Sequence, residues 1–127
     1  MDVLFLIGRI IFGGYFIYNG LNHFTKLQMM SGYAKSKGIT APTLAVPFAG
    51  LLLLIGGLTM ITGRFVLLGE ICLIIFLLPV SFMMHNFWKV EDPMMKMGEM
   101  VNFMKNMALL GAVLMIMTFP QPWPLSL

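Results

Sequence analysis

T-L-A-V-P-F-A-G-L-L-L-L-I-G-G-L-T-M-I-T-G-R-F-V-L-L-G-E-I-C-L-I-I-F-L-L-P-V-S-F-M-M, residues 43 to 84, is the stretch that decides the fold. Its first twenty residues carry no charge, Gly63 and Arg64 interrupt it once, and the apolar run resumes at Phe65 with a single acid, Glu70. A bilayer crossing takes roughly 20 apolar residues, so each half is long enough to span. Strands are excluded, because apolar runs this long without alternation would leave backbone groups unpaired in lipid. Gly63 suits the left-handed residue that ends a helix, so the two halves read as an antiparallel pair joined by a very tight turn.

Outward from this pair, Val3–Phe24 and Met100–Phe119 are also long and apolar. The expectation is an all-α integral membrane protein: one transmembrane domain over residues 1–127, built as an up-down antiparallel four-helix bundle with helices near 3–24, 43–62, 65–84 and 100–119. Polar connectors fill 25–42 and 85–99, and Gln28–Lys35 can form a short surface helix. The chain as a whole is 59% hydrophobic and 10% charged, more apolar than a core of 127 residues can hide from water. Asp2 stands where a cleaved signal would have its basic region, so the first segment reads as a retained helix. Ala45, Ala49, Gly56 and Gly63 recur at steps that let a neighbouring helix come close, and Pro79 predicts a kink in the third span. The P-Q-P-W-P tail cannot be helical and offers Trp123 as an interfacial anchor.

A net charge of +3 would suit nucleic acid in a soluble domain, but the six lysines lie beside apolar segments and read as membrane-surface charges. Lys26, Lys35, Lys37, Lys89, Lys96 and Lys105 share one side, against Arg64 and Arg9 on the other. The positive-inside rule then puts both connectors in the cytoplasm and both termini outside, in a plasma or inner membrane. The lone Cys72 excludes an intramolecular disulfide and a C-x-x-C redox pair.

Alternating spans bring distant residues to matched depths. Arg9 and Glu70 each fall about 5–6 residues into their helices, roughly 8–9 Å at 1.5 Å per residue, which predicts an intramembrane ion pair. The competing reading is that Arg9 snorkels to the nearer surface. At the other end, Asn19, Asn22, His23, His85, Asn86, Asn102 and Asn106 collect at one level, with Trp88 beside them. Amides and imidazoles both donate and accept, which suits a neutral polar headgroup such as a quinone carbonyl. The plainer reading is that they bond across helices and cap their ends. Two histidines without a third ligand do not make a zinc site. Met97, Met100, Met104 and Met107 form a stripe of soft donors that could take Cu(I), although methionine more often fills apolar packing. No nucleotide-loop, nucleophile-elbow or zinc-protease motif occurs, so no catalytic residue is assigned.

Four stretches together resemble the DoxX-like family of small four-helix membrane proteins: R-I-I-F-G-G-Y-F-I-Y-N-G-L-N-H-F (9–24), G-G-L-T-M-I-T-G-R (56–64), H-N-F-W (85–88) and F-M-K-N-M-A-L-L-G (103–111). The resemblance implies a four-helix bundle linked to quinone or sulfur redox chemistry, as a subunit of a quinone-linked oxidoreductase or of a membrane oxidant-defence complex. The reading that follows is a quinone- or lipid-binding membrane subunit, with no intrinsic cofactor and electron transfer left to redox partners or a homo-oligomer. A structural assembly protein without a ligand is the alternative, and a transporter a more distant one, because one charge pair and no inverted repeat make a poor conduction path.

Overall fold

Gly63 adopts φ 73° in a computed structural model that describes all residues from Met1 to Leu127, and there the apolar stretch turns back on itself. A side chain at this position would be strained by the backbone and would meet Arg9 and Ser126. On either side stand α3 (Pro42–Thr62) and α4 (Val66–Met83), flanked by α1 (Asp2–Thr25), α2 (Leu27–Ser36) and α5 (Pro93–Ile116). A single 3-10 turn, Phe87–Lys89, lies in the last connector. The fold is all-helical, and four helices are long and apolar enough to cross a membrane.

Helix α1 packs on α3, α3 on α4 and α4 on α5, while α2 lies against α3. In lipid such contacts depend on close approach and dispersion, since hydrocarbon outside is as apolar as the interior. Glycines provide the approach. A Cβ on Gly13 would sit 2.6 Å from the Gly57 carbonyl oxygen, and one on Gly20 would sit 3.0 Å from that of Gly50. The working stripe on α3 is therefore Gly50 and Gly57 facing α1, with Gly56 against Leu73 of α4; Ala45 and Ala49 face a cavity instead. Phe16, Leu53, Met60, Leu73, Leu77 and Val113 form the buried core.

Helix α5 begins at Pro93, a full two turns before the Met100 expected from hydropathy. Asp92 caps it, accepting a hydrogen bond from the Met95 amide at 3.0 Å, and Pro93 fills the first position, where no N–H is needed. Two capping residues thus extend into the polar segment a helix that composition alone would start later. Helix α4 runs on through Pro79 to Met83.

Two expectations fail at the end of the bundle near Gly63. Arg9 is buried but makes no ion pair with Glu70: its Nε donates to the Met60 carbonyl at 3.0 Å, and its terminal nitrogens donate to Ile61 and Pro124 at 2.7 and 2.6 Å. Met60 and Ile61 lie in the last turn of α3, whose carbonyls have no helical partner and carry the negative end of the dipole. Arg9 satisfies them directly, because α1 packs on α3 and makes no backbone contact with α4. Glu70 is 1% exposed and its Oε1 has no partner. Trp123 is not an interfacial anchor either: the tail folds back, burying the indole edge-on to Phe5 at 5.2 Å and 5.6 Å from the Arg9 guanidinium.

Candidate functional site

At the opposite end the helices leave a cavity of about 450 Å³. Its walls are mostly apolar, with Phe16, Leu53 and Leu77 among them, and its polar lining comes from all four spans' shared end. Asn19 and His23 reach it from α1, His85 from the residues just after α4, and Asn102 and Asn106 from α5. Asn22, Asn86 and Trp88, which depth alone assigned to the same group, do not line it. Asn86 accepts a hydrogen bond from Lys37 Nζ at 3.1 Å. Trp88 packs edge-on to Phe103 at 5.6 Å and leans on Phe82 and Phe87.

Each histidine is oriented through one ring nitrogen. His23 Nδ1 lies 2.7 Å from the Asn19 carbonyl oxygen, which can only accept, so Nδ1 carries the proton and neutral His23 presents Nε2 as an acceptor. Phe76 holds the same ring edge to face at 5.9 Å. His85 Nδ1 lies 3.2 Å from Glu99 Oε1, which orients it in the same sense. Asn106 is 5% exposed, and no protein group bonds its side-chain amide, which faces the cavity.

Glu99 was not among the residues expected at the site, yet it organises this end. Its carboxylate pairs with Lys37 at 2.8 Å, accepts from His85 and Asn102 at 3.2 and 3.4 Å, and takes a very short hydrogen bond from the Tyr33 hydroxyl. One side chain thereby ties α2, the connector after α4 and α5 together. Burial, then the neighbouring Glu99 carboxylate, pushes the Tyr33 phenol well above its ordinary range, so it stays a donor. The signal was present in the sequence: Glu99, Asn102 and Asn106 are three and four apart on one helical face. Lys105 and Tyr33 also line the cavity, and neither was singled out by sequence.

Chemically the site offers two imidazole acceptors, a free amide and one ammonium around an apolar volume. Such groups can both donate to and accept from a polar group placed among them. No three His, Cys, Asp and Glu side chains gather closely enough to hold a metal ion.

No curated protein and no solved structure matches the chain. The DoxX family model matches residues 4–86, from the first span through Asn86, and with well over half its length covered this multi-pass membrane protein belongs to the DoxX family.

Proposed function

We propose that the protein holds a membrane amphiphile, a lipid or a quinone, with its polar head among His23, His85, Asn102 and Asn106 and its hydrocarbon body along Phe16, Leu53 and Leu77. The observation that supports this is the cavity itself: about 450 Å³, apolar-walled, with the polar groups of three separate segments converging at one end. A volume of that order accommodates a small molecule, and the mixture of a few oriented polar groups in an apolar wall is the usual composition of such sites. Interhelical stapling alone would leave the Asn106 amide bonded to a neighbour, and it is not.

The link to quinones, and to redox partners that carry the electrons, rests on the family resemblance. Lysines on the α2 and connector side, with Arg9 and Arg64 opposite, favour a plasma or inner membrane orientation with the connectors cytoplasmic.

Mass spectrometry of the protein released intact from native-like membranes tests the reading. A small molecule should be released with the wild type and be lost from Ala49→Phe, which fills the cavity from α3. A wild-type protein that carries nothing, or a bound molecule undiminished in Ala49→Phe, would overturn it.

A further inference from the structure

Resting on that reading, we infer that the cavity opens sideways into the membrane between α1 and α5, and that its occupant bears an anionic head, a carboxylate or a phosphate, met by Lys105. A closed four-helix ring would have a fourth interface, but α1 and α5 make no backbone contact anywhere along their length. Near the tail the seam is shut by Phe5 against Phe119, ring centres 5.5 Å apart. Beside the cavity the Lys105 ammonium reaches to 5.7 Å from the centre of the Tyr15 ring, and both residues line the cavity.

Lys105 is placed unusually for a lysine in a span. Tyr15 stands ten residues before the end of α1 at Thr25, about 15 Å along the helix, so the ammonium reaches across the seam at depth and not outward to the headgroups. It has no acidic partner there: Lys37 holds Glu99, and Glu70 makes no ion pair with any residue. A cation–π contact offsets only part of the cost of a cation in this setting, and ionisable groups so placed are commonly matched by a ligand.

The charges around the site reinforce the point. Glu99 is already paired with Lys37, so Lys105, which lines the cavity, is left as an unmatched positive charge. The next residue of α5, Asn106, lines the same cavity, and its side-chain amide makes no hydrogen bond to the protein. Lys105 and Asn106 together match an oxyanion on a hydrocarbon chain. A neutral head would leave the ammonium uncompensated.

Equilibrium binding to the full-length protein in a neutral maltoside detergent tests this. The probes are oleate, oleoyl lysophosphatidate, monoolein, decylubiquinone and inorganic phosphate. One or both anionic amphiphiles should bind at least tenfold tighter than monoolein, and the tighter of the two identifies carboxylate or phosphate. Lys105→Gln should abolish the preference, Lys105→Arg should retain it, and Lys96→Gln, an exposed lysine of the same helix away from the cavity, should leave it unchanged. Inorganic phosphate binding as tightly as the lysophosphatidate would assign Lys105 to a soluble anion and overturn the amphiphile. Monoolein or decylubiquinone binding as tightly as oleate, with Lys105→Gln silent and Ala49→Phe inhibitory, would sink the anionic head while sparing the cavity reading. Failure of every probe to bind would remove both.

Discussion

The Lys37 ammonium donates to the Glu99 carboxylate across 2.8 Å, and this pair pins the end of α2 to the face of α5 beside the cavity. Both side chains are largely covered, so removing one leaves the other without its counter-charge in a poorly hydrated place. Glu99→Ala should therefore destabilise the protein by ~3 kcal/mol in detergent unfolding. It should also loosen α2, making the chain cleave faster with trypsin at Lys35. A Lys37→Met, Glu99→Ala double variant should lose less than the two singles summed. Additive losses would show that the pair does not hold α2.

Tyr33 adds a pH signature to the same cluster. Burial and Glu99 raise its phenol above the ordinary tyrosine value of 10.0, so the folded protein keeps a proton that the unfolded chain gives up above that pH. The folded state binds more protons there, and stability must fall as pH rises past about 10. Tyr33→Phe shares every other alkaline titration, including those of the lysines, but lacks this one. It should be less stable than wild type at neutral pH, and the gap should narrow by pH 11. Parallel stability curves for the two proteins would refute the assignment.

Arg9 is held by backbone carbonyls and not by an acid, and the two arrangements respond differently to substitution. Arg9→Met strands the Met60, Ile61 and Pro124 acceptors and should lower stability by ~2–4 kcal/mol. Glu70→Gln removes no bond that Glu70 Oε1 makes and should lie within about 1 kcal/mol of wild type. An Arg9→Glu, Glu70→Arg double swap should fold no better than Arg9→Glu alone. Rescue in the double swap would restore the ion pair.

What the sequence discloses and what it hides divide along a physical line. Hydropathy and Gly63 locate the spans and the turn, because a bilayer constrains length and a left-handed cap constrains residue type. Counting along helices also places Asn19, His23, His85, Asn102 and Asn106 at one level, since depth is additive in rise per residue. Azimuth is not: Arg9 and Glu70 lie at matched depth, yet their helices are not neighbours, and α3 offers its own carbonyls first. The same gap explains Asn22, Asn86 and Trp88, which share the level without facing the cavity. Lys105 escaped notice because a lone lysine in a span reads as a snorkelling one until the open seam between α1 and α5 is seen. Trp123 was hidden by the fold-back of a tail that carries no periodicity. Glu99 and the Asp92–Pro93 cap were readable from spacing and cap chemistry, but the polarity around them looked like connector.

Adjacent glycines in α1 provide a last and sharp test of the helix arrangement. Gly13 faces α3, where an added methyl would lie 2.6 Å from the Gly57 carbonyl oxygen, a backbone atom that cannot swing away. Gly14 has nothing within 4 Å of the same added atom. Gly13→Ala should therefore push α1 off α3 and destabilise by ~1–3 kcal/mol, as overpacking does in a close contact. Gly14→Ala gains helix propensity at no steric cost and should stabilise by ~0.5–1 kcal/mol in the aqueous-host limit, less in lipid, where backbone freedom is already curtailed. Because α1 carries Asn19 and His23 into the cavity, Gly13→Ala should also weaken retention of any bound amphiphile, whereas Gly14→Ala should leave it intact. Thermal unfolding of the two variants side by side decides the matter: equal effects, or the reverse order, would mean that α1 presents a different face to α3 and that the cavity is lined by other residues.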